Sequence, residues 1–229
     1  MKILYISSID HKYTGGYNHF VSLKKIYKNV DLIDPNKSFL FPSIYGRIMF
    51  QVSSKILEST INRYILTKIN KYYDLIFVRT GEFIGERLIL LLKKKSKKIV
   101  LYCADNPFVN RDNQLWKLAL PAFKYYDLVV FQQPSRIKLS KKYNIKKFLL
   151  VLPPYHKKIH RPQKLTMNEQ KKYSNDVIFI GTWRPERGVF FKKLIDKGLN
   201  LKIFGTHWQK DKNYKLLKSR ITLGHVEGL

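Results

Sequence analysis

The chain has 229 residues, enough to bury a substantial core in one or two domains. Apolar residues make up 45% and aromatic residues 14%, a folded composition, and the longest apolar cluster, Leu88 to Leu92, is far too short to span a bilayer. Lysine and arginine number 44 against 16 acidic residues; the formal charge of +28 points to anionic partners.

The single cysteine, Cys103, excludes an intramolecular disulfide and fits a reducing compartment, so a cytoplasmic location is expected. The basic pairs Lys24-Lys25, Lys141-Lys142, Lys146-Lys147 and Lys192-Lys193 are spread along the chain. Two readings of that charge stand side by side. It solvates helix faces, or it draws the protein to anionic lipid or polymer and makes it membrane-peripheral. No ribonucleoprotein, zinc-finger or helix-turn-helix pattern is present, so nucleic acid is not an expected partner.

In chain order, residues 2–6 read as a first strand that turns polar at Ser7. A loop ending in Gly15-Gly16 leads into a helix over 17–28, the way a Rossmann-type unit opens, but without the G-x-G-x-x-G fingerprint. A strand follows over 30–33. Ile48, Val52, Ile56, Ile61, Ile65 and Ile69 recur at helical spacing and predict one long helix, with a break placed near Ser59-Thr60. Strands are expected over 74–78, 99–103, 127–131 and 148–152, and a helix over 85–95. The run Lys93 to Lys98 reads as a helix end with a solvated turn, or as a membrane-surface patch. Short apolar strands alternating with helices indicate a parallel sheet covered on both faces.

The stretch 156–175 is polar and lacks apolar periodicity, and is read as a linker between an N-terminal domain, 1–155, and a second domain starting at 176. There the βα pattern restarts: a strand over 176–180, Gly181, a helix over 185–197, a strand over 199–204 ending at Gly205, and a short helix and strand to the end. The fold class is therefore α/β, with a Rossmann-like parallel-sheet N-terminal domain followed by an incomplete second Rossmann-like domain.

Gly181 permits close backbone approach after a strand, and the helix behind it offers free N–H groups suited to an anion. Arg184 and Arg187 lie at the same helix start, where cations oppose the macrodipole unless an anion sits between them. The alternative is that Glu186 pairs with one arginine and both point to water. Asp105 follows a strand's carboxyl end, where open α/β sheets place ligands, and is the candidate catalytic carboxylate; the other reading is a turn aspartate. Gly15 and Gly16 are candidate acceptor-loop residues or a plain tight turn, and Asn106 is a candidate acceptor-loop residue. Gly205 with Trp208 marks a second cleft loop beside Gly181, where the tryptophan shapes a ligand wall or, as is commoner, packs in the core. His156 and His160, and His207 and His225, lack the partners that a metal site needs, so no metal is expected.

The chain resembles the spore-maturation CgeB-type glycosyltransferases of the GT-B superfamily. The similar segments are 2–6, 73–78 with 81–84, Tyr102-Cys103-Ala104-Asp105-Asn106-Pro107-Phe108 and 126–129. They continue with Asp176-Val177-Ile178-Phe179-Ile180-Gly181-Thr182, Pro185-Glu186-Arg187, Gly198-Leu199 and Ile203-Phe204-Gly205 with Trp208. The resemblance implies transfer of a sugar from a nucleotide-diphosphate sugar to a glycan or other acceptor, with no cofactor and no required metal. The N-terminal domain would hold the acceptor. Arg187 and Arg184 would neutralise the leaving diphosphate. In the family the second domain continues past the point matching residues 225–228, so the resemblance also implies a chain truncated at its C-terminus. A non-catalytic remnant bound to anionic surfaces is the alternative.

Overall fold

In β1 (Lys2–Ile6), Ile3 and Tyr5 face one way and Leu4 and Ile6 the other, and all four are at most 1% exposed. A strand buried on both faces needs helices on both, and that requirement shapes the first half of the molecule. The computed structural model describes residues 1–9, 15–109, 112, 114–155 and 161–224. It divides into two units, Met1–Pro154 and Tyr155–Leu229.

The first unit runs β1, α1 (Gly15–Ile26), β2 (Asn29–Ile33), α2 (Pro42–Ile48), α3 (Glu58–Lys68), β3 (Tyr73–Arg79), α4 (Glu86–Lys93), β4 (Ser96–Cys103), β5 (Leu128–Phe131), α5 (Ser135–Ser140) and β6 (Phe148–Leu150). Its six strands lie in the order β2-β1-β3-β4-β5-β6, every pair parallel. The main core joins Leu4, Ile76, Ile99 and Val129 of the sheet to Ile61 and Ile65 of α3 and Leu88 of α4. The opposite face is closed by Phe20 and Leu23 of α1 over Ile3, Tyr5 and Val30. The chain steps from β1 outward to β2 and then returns across β1 to β3. The carboxyl ends of β1 and β3 thus form the switch point at which such sheets open a crevice.

The expected long helix over 48–69 is broken earlier than Ser59. After α2 comes a π turn, Met49–Ser53, and a 3-10 turn, Ser54–Leu57, before α3 begins. The cause is tertiary. Fully buried Ser54 accepts from the Leu118 N–H at 2.9 Å, and the Phe50 carbonyl accepts from the Gln114 N–H at 3.1 Å, so the segment around 114–118 docks into the interrupted ladder. The lysine run is also divided. Lys93 ends α4, while Lys97 and Lys98 belong to β4, and both Lys93 and Lys98 approach Asp127 at 3.9 Å.

The second unit holds α6 (Met167–Tyr173), β7 (Val177–Ile180), α7 (Pro185–Asp196), β8 (Leu201–Gly205), α8 (Tyr214–Leu217) and β9 (Ile221–Leu223). Its sheet is β7-β8-β9, again parallel. Helix α6 lies inside the stretch read as linker. Thr166 and Glu169 close a capping box at its start, a local device that needs no apolar periodicity. His156, His160 and His225 lie outside the described residues. The core packs Phe191 of α7 and Trp208 against Ile203 and Phe179, whereas Ile178 and Ile180 of β7 face outward.

Trp208 is fully buried, with its ring tilted against Phe191 at 5.5 Å and edge-on to Phe179 at 6.0 Å. Replacing Trp208 with Ala is expected to cost about 3–5 kcal/mol. Amide hydrogen exchange in β7 and β8 measures it: protection there should fall by orders of magnitude.

Candidate functional site

At the carboxyl edge of the second sheet, the loops after β7 and β8 are pinned to each other. The Gly181 N–H donates to the Phe204 carbonyl at 2.8 Å, and the Trp183 N–H donates to the Thr206 carbonyl at 2.9 Å. Gly205 has φ of 153°, and a side chain on it would strike the Gly181 carbonyl. The buried indole of Trp208 donates to that same carbonyl at 2.9 Å. Gly205 and Trp208 therefore hold Gly181 in place from beneath. Of the two readings of Trp208, ligand wall or core, its full burial favours core.

Arg184 caps α7 with an extended backbone and no side-chain cap, and Pro185 follows at the first helical position. The Arg187 guanidinium lies over the Phe179 ring at 5.0 Å and donates to the Thr182 carbonyl. It also lies beside Gly181, where a Cβ would come within 3.3 Å of Nη1. Both arginines are half-buried. No ion pair among the described residues joins Glu186 to either one. The expected cradle of backbone N–H groups is thin, because Pro185 has none and the Arg187 N–H returns to the Arg184 carbonyl at 3.0 Å. Positive charge, not amides, dominates this site. The hydroxyls of Thr182 and Thr206, 3.2 Å apart and exposed, complete its rim.

Sequence reasoning missed Asp211. It is buried, accepts from the Trp183 indole at 2.7 Å, and lies where a side chain on Gly188 would clash with it. The first turn of α7 can pack this closely only because residue 188 is glycine.

In the first unit, Gly15 and Gly16 are not loop residues, since α1 begins at Gly15. Gly16 is buried where a Cβ would strike the Ser8 carbonyl and the Ser7 hydroxyl, and the Tyr5 hydroxyl donates to its carbonyl at 3.1 Å. Burial pushes that phenol up to about 12. Gly15 lies against the guanidinium of Arg79. Asp105 and Asn106 follow β4 and are half-buried. Asn106 accepts from the Phe108 N–H at 3.2 Å, the expected turn. Buried Arg136 donates to the carbonyls of Cys103 and Ala104 at 2.8 and 2.9 Å and so fixes the end of β4 beside Asp105. Burial raises the Cys103 thiol well above its usual range, which keeps it protonated. Arg79, Arg136 and His19 escaped sequence reasoning. Their signal was weak: isolated polar residues beside apolar strands.

No family model matches the chain, and no curated protein matches it. Among solved structures, sucrose-phosphate synthase from Thermosynechococcus elongatus aligns over 99% of this chain and 71% of its own, with a TM-score of 0.62 at 12% identity. The fold is of the GT-B type. The Anabaena HepE protein in complex with UDP and glucose, and the same protein with UDP, cover 97% of this chain and 68% of their own at 10% and 12% identity. Their TM-scores of 0.43 and 0.41 are too low to bear on function. Among the described residues no helix is long and apolar enough to cross a membrane.

His19 gives a pH signature for the first site. Burial, and then the charge of Arg79, lowers it from 6.5 to about 4. Between those values the unfolded chain binds the proton and the folded chain does not. The contribution of His19 to stability is complete above about 6.5, falls as pH drops towards 4, and changes no further below that. Urea unfolding across this window should show a steeper loss of stability in wild type than in His19→Gln. Equal slopes would contradict the assignment.

Proposed function

We propose that the chain is a glycosyltransferase, or the front part of one, that transfers a sugar from a nucleotide-diphosphate donor to an acceptor. The observation that carries this reading is the pair Arg184 and Arg187 at the amino end of α7, with the Arg187 guanidinium beside Gly181 and no acidic partner for either among the described residues. A cation there faces the positive end of the helix macrodipole. A diphosphate between the two guanidinium groups reverses the sign of that interaction. Arginine also offers the planar, two-pronged donor geometry that phosphate oxygens match. As the bond from sugar to phosphate lengthens, negative charge grows on the leaving diphosphate. Fixed guanidinium groups stabilise it more at that point than in the bound substrate, which lowers the barrier. Charge neutralisation by the arginines leaves no step that calls for a metal.

The fold shared with sucrose-phosphate synthase supports this reading at the level of architecture. The chain spans 71% of that enzyme. In the proposed mechanism the first unit holds the acceptor at the carboxyl ends of its strands. Asp105, on a loop braced by Arg136, takes the acceptor's proton. The reaction then requires Asp105 to act as general base, and Asp105→Asn should reduce turnover by roughly 100-fold or more without weakening donor binding. Calorimetric titration with UDP and GDP tests the donor site. One of them should bind, and Arg187→Ala should weaken it by about 10- to 100-fold, the worth of a charge-assisted hydrogen bond. Binding of neither nucleotide would refute the reading.

A second reading rests on a different surface. Leu40, Phe41, Ile44, Phe50, Val52 and Ile56 are large apolar side chains 43–89% exposed, on and around α2. Exposed Lys37, Arg47 and Lys55 lie among them in sequence. Apolar side chains flanked by cations in a chain of charge +28 suit an anionic membrane surface. This supports the alternative of a protein held at anionic surfaces, and it is compatible with catalysis there. Co-sedimentation with vesicles containing phosphatidylserine should be salt-sensitive, and Phe41→Asp should reduce it several-fold. Absent or salt-independent binding would count against it.

A further inference from the structure

Arg79 closes β3 at the switch point of the first sheet. Its guanidinium lies against Gly15, the first residue of the twelve-residue helix α1, in the space a side chain there would fill. Its Nε is shielded from solvent and has no hydrogen-bond partner, and no carboxylate among the described residues pairs with it. It is therefore a half-buried cation at the positive end of a helix, an arrangement that costs free energy unless something negative is present. His19, one turn into α1, carries a second unmet atom: its Nδ1 is buried with no hydrogen-bond partner among the described residues, and its ring sits edge-on to Tyr102 of β4 at 4.9 Å. The residue after Arg79 adds a third sign. Thr80 has φ of 72°, a strained value for a β-branched residue, and Gly81 follows at 90°. The end of β3 and the start of α1 thus leave polar groups unmet and backbone strained where open parallel sheets receive ligands.

We infer that this crevice binds an oxyanion, a phosphate or carboxylate group, with the Arg79 guanidinium as its principal ligand. Placed beside the first turn of α1, such a group satisfies Arg79 and reverses the unfavourable interaction with the helix dipole. His19 contributes as the neutral tautomer with its proton on Nδ1, which donates to the oxyanion. If the chain is a glycosyltransferase, the oxyanion belongs to the acceptor, which is then an acidic sugar: a sugar phosphate or a uronate. That assignment rests on the proposed function. The oxyanion site rests only on the geometry at Arg79.

The test uses the full chain carrying Arg187→Ala, so that the arginines of α7 contribute less to anion binding. Melting temperature is followed against inorganic phosphate at constant ionic strength. Phosphate should raise it, and adding Arg79→Gln should abolish the rise. In phosphate-free buffer Arg79→Gln should melt at or above its parent, because an unpaired cation has been removed. Arg79→Lys should retain binding about tenfold weaker, since it keeps the charge and loses the fork. An equal phosphate response with and without Arg79, or a lower melting temperature for Arg79→Gln in phosphate-free buffer, would overturn the site. Glucose 6-phosphate, glucuronate and glucose then identify the source of the oxyanion. At least one acidic sugar should bind ten times more tightly than glucose in an Arg79-dependent manner; parity with glucose would overturn the inference of an acidic acceptor. UDP titration of the chain with Arg187 intact reports on the donor site separately, so failure of one reading is distinguishable from failure of the other.

Discussion

Guanidinium groups held at the amino ends of helices are the constraint around which both units make sense. A helix concentrates partial positive charge at its amino end, and a cation there is opposed by a few tenths of a kcal/mol to about 1 kcal/mol, more where water is excluded. Arg187 and Arg184 stand at the start of α7, and Arg79 at the start of α1. Each is half-buried, and the described residues offer none of them a carboxylate. Core packing does not require such an arrangement. Anion binding, as proposed for both units, supplies a reason for it.

The parallel sheets produce this geometry without special devices. Parallel pairing brings every strand's carboxyl end to one edge, and each following helix begins at that edge. What the chain adds is closeness. Gly16 lets α1 settle on the Ser7 hydroxyl and the Ser8 carbonyl, Gly188 makes room for the buried carboxylate of Asp211, and Gly205 lets the β8 loop touch the Gly181 carbonyl. The Trp208 indole then ties the β7 and β8 loops into one rigid rim. A site built this way needs little reordering when ligand arrives, which favours catalysis by fixed charge.

Much of this was legible in the sequence, and the exceptions have physical causes. Apolar strand, glycine, proline and helix at 176–188 read correctly because all the signals are local. The interrupted helix at 49–57 did not, because Ser54 and Phe50 are held by a segment about 60 residues away. Helix α6 was passed over because its signal is the Thr166–Glu169 capping box and not periodicity. Trp208 suggested a ligand wall because a tryptophan after a strand end fits either role; only burial decides. Arg79 gave no warning, since a charged residue ending a strand is ordinary until the described residues are seen to offer it no carboxylate. Gly15 and Gly16 were recognised but placed in a loop, whereas their absent side chains serve the first turn of a helix.

Everything proposed for the second unit depends on where a nucleotide diphosphate binds. A crystal structure of the chain soaked with UDP measures this directly. Diphosphate density is expected at the amino end of α7, with phosphate oxygens within hydrogen-bonding distance of the Arg184 or Arg187 guanidinium and beside Gly181. A diphosphate bound elsewhere, with both arginines still turned to their own backbone or to solvent, would contradict it.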